Sequence, residues 1–334
     1  MTRQRMLLTI LALAGLIAVV APMIGGRMLS PMSIFASGGD AGAPDVFWSI
    51  RVPRVALAFL AGCGLAVSGL SFQAVFRNPL AEPFTLGVSS GAAFGAAAYV
   101  RSGLSLGLSG VSGASLAAFL GALVSIAIVY GLARSRKGST VATMLLAGVA
   151  VSFFFSSLIL LIEYVSDYTS AFRILRWLMG GVEVVGFETV LGLLPFVLTG
   201  SAILFYVARD LNLLAASDDL AASRGVDVGR IRRIVFFAAS LMIGAIVSAC
   251  GPIGFVGMMA PHICRLLLGG EHRFLVPATL AFGGAFLVLC DTVARTVVAP
   301  VEIPVGVITA MIGGPFFLWL LMKNPAGLSF PKGG

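Results

Sequence analysis

Few residues in this chain have the type and spacing to do chemistry. His262 and His272 are its only histidines, too few and too far apart for a metal centre. The cysteines Cys63, Cys250, Cys264 and Cys290 stand singly inside apolar runs, without the close spacing of a metal site, and read as small packing residues. No metal site and no catalytic residue are expected. The phosphate-cradling pattern G-x-x-x-x-G-K-[ST] needs a Gly-Lys pair, and the sequence contains none. If ATP drives this protein, a separate chain binds it. Gly87, Gly91 and Gly95 recur every four residues, which suits one flat helix face for close packing rather than a phosphate loop.

What remains is charge at or near membrane depth, where ionisable groups are costly and point to function. Glu82, Glu163, Asp291 and Glu302 all fall near the ends of apolar runs. That position suits capping or solvated roles better than a proton relay, which calls for a carboxylate in mid-span. Arg51, Arg54 and Arg295 lie on the side that carries the smaller share of positive charge, where headgroup anchoring is their simplest role.

The elements that must hold these groups follow from composition. Of 334 residues, 59% are hydrophobic and only 11% charged, against roughly 25% charged in soluble domains. A soluble fold is excluded, and so is any extramembrane domain large enough for soluble catalysis. Apolar runs predict spans at 6–26, 53–75, 84–100, 113–133, 141–164, 188–208, 233–250, 253–268, 274–296 and 304–322, ten in all. An even number puts both termini on one side, and with the N-terminus inside, most Lys and Arg also fall inside, as the positive-inside bias requires. The net charge of +8 is spread over loops, with no stripe and no interleaved aromatics, so nucleic-acid binding is excluded. Thr2-Arg3-Gln4-Arg5 and the apolar run behind it read as a first retained helix rather than a cleaved signal.

Three connections are longer than a turn. Residues 27–50 read as a solvated outer loop. In the outer segment 166–188, Phe172 to Met179 is amphipathic enough for a short interfacial helix. There Arg173 and Arg176 would share a face, beside Trp177 and Met179, lining the mouth of a pathway or snorkelling to lipid phosphates. The inner segment 209–232 holds Asp218-Asp219-Leu220-Ala221-Ala222-Ser223-Arg224-Gly225, a short helix stopped by glycine. Gly- and Pro-broken passages, Gly69 to Gly95 and Gly251 to Gly270, follow spans of opposite direction, the mark of inverted half-repeats in transporters.

A resemblance attaches to several strings at once. Arg51-Val52-Pro53-Arg54, Asn78-Pro79-Leu80-Ala81-Glu82-Pro83, Gly251-Pro252-Ile253-Gly254-Phe255-Val256-Gly257 with Ala260-Pro261-His262, Asp291-Thr292-Val293-Ala294-Arg295 and Glu302-Ile303-Pro304-Val305-Gly306 occur in order along the chain. Together they resemble the FecCD family, permease subunits of bacterial binding-protein-dependent ABC importers for iron-siderophores, haem and cobalamin. The resemblance implies an all-α, type II importer permease, a single transmembrane domain over 1–334 in the inner membrane with both termini cytoplasmic. It implies a homodimer among membrane lipid, two ATPase subunits that hold ATP and Mg, and a periplasmic substrate-binding protein. It carries binding-protein docking to Arg51, Arg54 and Arg295, ATPase coupling to Asp218 through Gly225, and the cytoplasmic gate to Asn78 and Leu80, with Val141 and Ala142 opposite in place of hydroxyl residues. Haem or a ferric siderophore is favoured as cargo over cobalamin. An ion-coupled secondary transporter acting without an ATPase is the second reading.

Overall fold

The structure, a computed structural model, describes residues 2–25, 42–82, 86–104, 107–108, 111–134 and 141–323. Ten helices occupy the ten predicted span positions: α1 Arg3–Val20, α2 Val52–Phe76, α3 Val88–Ser102, α4 Gly113–Arg134, α5 Val141–Tyr164, α7 Glu188–Tyr206, α10 Val228–Cys250, α11 Val256–Leu268, α12 His272–Ala294 and α13 Val305–Lys323. Between them lie α6 Tyr168–Leu178, α8 Ala208–Ala216 and α9 Asp218–Ser223, with a two-residue antiparallel bridge, Gly107–Leu108 to Val111–Ser112, before α4. Seven of the described helices are long and apolar enough to cross a bilayer unaided.

The helices that fall short carry information. α3 has 15 residues and α11 has 13, so they rise only about 22 and 20 Å against roughly 30 Å of hydrocarbon. Each is the third helix of a set of five, and each is preceded by a left-handed residue, Gly87 at φ 78° and Phe255 at φ 67°. The same break at the same place in both halves is the structural form of the repeat. Non-helical backbone at such depth survives only where protein covers it. Leu86, Ile253 and Gly251 are accordingly buried, and the Gly87 carbonyl accepts from Ser125 Oγ at 2.6 Å.

α2 is the central post. Every residue from Ala61 to Phe76 is buried, because other helices surround it at van der Waals distance. Two crossings allow no side chain: a Cβ at Gly69 would overlap the Gly257 carbonyl of α11, and one at Gly62 would overlap the Gly283 carbonyl of α12. On α3 the four-residue glycine spacing acts as expected at Gly91 and Gly95, which face Gly121 and Ala117 of α4. Gly87 differs, being the helix's left-handed N-cap rather than part of that face.

Several boundaries differ from those predicted. The 27–50 loop is helical from Ala43, where a short turn, Ala43–Val46, and a wide turn, Phe47–Arg51, run straight into α2; residues 26–41 lie outside the described residues. α10 begins five residues before the predicted 233, because Asp227 caps it by accepting from the Arg230 N–H at 2.9 Å. The 209–232 segment holds two helices rather than one. Ser217 separates them and caps α9, its Oγ accepting from Leu220 N–H at 3.0 Å, and Gly225 sits at φ 82° beyond the end. Pro83 of the Asn-Pro-Leu-Ala-Glu-Pro string lies outside the described residues.

Candidate functional site

At the start of α2, the predicted outer end, Arg54 and Arg295 meet around a residue that sequence reasoning underrated, with Arg51 close to Arg295. Asp291 on α12 is 1% exposed. It receives Arg54 Nη2 at 2.9 Å and Arg54 Nε at 3.1 Å, and Arg295 Nε stands 3.8 Å from its other oxygen. The expectation of a capping or solvated role for Asp291 is therefore corrected: it is the buried hub of an ion cluster. Arg54 reaches on to Glu302 at 2.7 Å. Arg295, only 5% exposed, gives Nη2 to the Ala21 carbonyl at 2.7 Å, and Arg51 gives Nη1 to the carbonyls of Pro22 and Met23 at 3.3 and 3.2 Å. The three cations thus tie the end of α1 and the loop before α13 to α2 and α12. Glu302, at 46%, is the exposed member of the cluster.

Beside this end, α6 packs against α3 and α5. Asp167 caps it by accepting from Ser170 N–H at 3.0 Å, and the hydrogen bonds from Ser170 hold the Asp167 carboxyl below its usual range. Arg173 and Arg176 share a face, as their spacing predicts, and line a cavity of about 590 Å³ with Trp177, Phe119, Leu193 and Phe196. Arg176 forms an exposed ion pair there with Glu183. Met179 turns elsewhere: it is the C-cap of α6 and lines a separate apolar cleft with Pro252, Gly306, Val307 and Met311. One predicted set is thus divided between two spaces. The division falls between Trp177 and Leu178, and just beyond it Gly180 is in left-handed backbone at φ 67°, where a Cβ would overlap the Pro252 carbonyl.

At the far end of α2, the loop holding Asn78 and Leu80 folds on itself, with Asn78 Oδ1 accepting from Leu80 N–H at 2.9 Å. Glu82, whose predicted role was capping or solvation, caps: it accepts from the Phe255 N–H at the start of α11, joining the breaks of the two halves. Ala142 is exposed in the first turn of α5, and for Val141 the described feature is its position as first residue of that helix. Glu163 is half-buried near the end of α5.

The predicted coupling segment stands at this same end on α8, which is packed against the body. Leu211 and Leu214 of α8 are buried, and Asn212 Oδ1 bonds both the backbone N–H and Nδ1 of His272, at 2.9 and 2.7 Å. In α9, Ala221 faces the body and is fully buried, while Leu220, Ala222, Ser223, Arg224 and Gly225 are exposed. Asp218 accepts from Arg232 at 2.8 Å, and Asp219 lies beside it in the first turn. Among the described residues no group of His, Cys, Asp and Glu could hold a metal, and the four cysteines are buried and free.

Comparison with known proteins gives consistent relatives. The FecCD transport family matches residues 8–323. The cobalamin import system permease protein of Halobacterium salinarum is 41% identical over 308 residues, 90% of this chain and 81% of that one. The hemin transport system permease protein of Yersinia pestis is 36% identical over 315 residues, 92% and 94%. The iron(3+)-hydroxamate import system permease protein FhuG of Bacillus subtilis is 33% identical over 299 residues, 88% and 89%. A solved structure described as an inward-facing conformation of a putative metal-chelate type ABC transporter superposes with a TM-score of 0.84 at 31% identity, covering 96% of this chain and all of that one.

Proposed function

The chain belongs to the FecCD transport family, and from that membership we propose that two copies form the membrane pathway of an importer carrying an anionic metal chelate inward, haem or a ferric siderophore before cobalamin. Plainly stated, it is a membrane-embedded permease of the metal-chelate class of ABC importers. The observation that carries this is the unbroken match over 8–323, with all ten helices at their expected positions. ATP and Mg belong to the partner ATPase. Cargo arrives from a binding protein on the Arg51 side, and both termini lie in the cytoplasm. The relatives named above differ in cargo, so the preference rests on the site: Arg173 beside Trp177 and Phe119 offers a cation set against apolar walls. Arg176 is paired there with Glu183, so Arg173 is the cation on which this preference chiefly rests.

The docking residues take a modified role. Arg54 and Arg295 are held by Asp291, so they support the rim on which the binding protein sits, and Arg51, half-buried and bound to carbonyls, is the member nearest to the incoming acids. At the gate, Asn78 and Leu80 are the gate residues, with Val141 and Ala142 in the places opposite them that hold hydroxyl residues in the cobalamin permease.

The test is reconstitution of the permease with its ATPase and binding protein in proteoliposomes, followed by uptake of haem, ferric siderophore and cobalamin. Uptake should require ATP and the binding protein. Uptake by the permease alone, driven by an ion gradient, would establish the secondary-transporter reading instead.

A second expected outcome concerns α9. Its exposed face is the surface left for the ATPase groove, so Ala222→Trp should remove at least about nine-tenths of uptake, a loss of the size met when a fitted contact worth 1–2 kcal/mol is blocked, while the folded yield of permease is unchanged. Normal uptake by Ala222→Trp would show the α9 face to be merely solvated.

A further inference from the structure

Arg77 occupies a position that helices usually give to glycine. It follows the last residue of α2 with φ 48° and ψ 35°. Its N–H bonds the Ala74 carbonyl at 3.3 Å, and the next N–H, of Asn78, bonds the Gln73 carbonyl at 3.2 Å, the paired closure of a helix by a left-handed residue. For a side chain with a Cβ this conformation costs roughly 1–2 kcal/mol. An arginine there places a long charged side chain at the end of α2. That side chain leads from the gate loop to the coupling helix: Arg77 Nη2 stands 3.6 Å from Asp218 Oδ1, and the same Asp218 carboxylate takes both hydrogen bonds from Arg232 Nη2, at 2.8 Å each.

We propose that the Asp218–Arg77 pair is the link by which movement of α9 reaches the gate loop Asn78 to Leu80. The inference rests on the reading of α9 as the ATPase contact. Asp218 is the first residue of α9, so it moves with that helix, whereas Arg77 is one residue from Asn78, in a loop already tied internally by Leu80 N–H to Asn78 Oδ1 and by Ala81 N–H to the Asn78 carbonyl at 3.0 Å. A shift of the carboxylate therefore pulls on a unit rather than on a slack chain. Arg232, at the start of α10, holds the other side of Asp218, so the carboxylate shares its charge between a fixed anchor and the gate. Arg77 and Arg232 are positioning residues, because neither needs to touch cargo or nucleotide.

The backbone offers a clean variant. Asn tolerates the left-handed region, so Arg77→Asn keeps the helix closure and removes the charge together with its reach to Asp218, and Arg77→Lys keeps the charge. Both side chains are more than a third exposed, so folding should be spared. In proteoliposomes with the complete importer, Arg77→Asn should retain binding-protein-stimulated ATP hydrolysis, while uptake per ATP falls by at least about fivefold, the lower end of typical coupling between sites. Arg77→Lys should restore most of that uptake. The thiol of a Leu80→Cys variant, labelled from the inner side, should lose its ATP-dependent change in reactivity in the Arg77→Asn background. Unchanged uptake per ATP, or a parallel loss of hydrolysis and ATPase association, would overturn the proposal. If ATPase association and uptake both survive Ala222→Trp, the reading of α9 itself fails, a result separate from the behaviour of Arg77.

Discussion

Asp291→Ala should be the most damaging single change at the Arg54 end of α2, costing on the order of 3–5 kcal/mol, the usual penalty for removing one partner of a buried ion pair. Its carboxylate is the counter-charge for Arg54 and Arg295, which are 12% and 5% exposed. Without it two guanidiniums would face each other in a poorly hydrated space, with only Glu302 left to one of them. The expected observation is loss of monodisperse protein in detergent, or a large fall in thermal midpoint. Glu302→Gln provides the contrast. That carboxylate is 46% exposed, so its pair with Arg54 should contribute no more than about 1 kcal/mol. Equal midpoints for Asp291→Ala and Glu302→Gln would show that the cluster is hydrated and that Asp291 is no hub. Reversing Arg54 or Arg295 to Glu would be a poor docking test for the same reason, since a second acid beside Asp291 would unfold the rim.

Gly69→Ala should match that effect by a different route. The added methyl would overlap the Gly257 carbonyl, and backbone on both sides prevents either wall from yielding as a flexible side chain would. Overpacking of ordinary cores costs about 1–3 kcal/mol, and here the α2–α11 crossing must itself open, so the upper end or beyond is expected. Gly131→Ala in α4 is the control, because a Cβ there meets nothing within 4 Å. In a helix interior that replacement should be neutral or stabilising by up to about 1 kcal/mol. Thermal midpoints of the two variants moving in opposite directions would establish that the crossing, not glycine loss as such, carries the effect. A Gly69→Ala protein as stable as Gly131→Ala would mean that the two helices stand apart.

A close crossing of α2 and α11 also explains why Glu82 can reach Phe255. The two broken helices meet where their post is thinnest, so the carboxylate of one half caps the helix of the other. The positive end of a helix favours such a charge. Phe255 can hold a left-handed conformation there because its ring lies directly against Gly313 of α13, where no side chain competes for the space.

Local chemistry was enough to read the class, the spans and the broken repeat of this protein. Twenty apolar residues can do little but cross a bilayer, Gly and Pro interrupt helices wherever they fall, and two successive Asp favour a helix start before any partner arrives. Those effects act within a few residues, so Asp218 and Asp219 could be recognised as a helix start, and Arg173 and Arg176 as one face, from spacing alone, whereas the cap Ser217 was missed. What the tertiary structure decided was whom the charges meet. Arg54 and Asp291 are 237 positions apart, and Gln73 and Arg265 are 192 apart yet bonded at 3.1 Å. Nothing in the spacing of either pair announces it, because such contacts depend on which helices pack together. The roles of Asp291 as a hub, of Glu82 as a cap for the opposite half and of Arg77 as a bridge to Asp218 were invisible for that reason. In a low-dielectric interior a charge must find its counter-charge across the fold, and only the packing of α2 against α11 and α12 determines which one it finds.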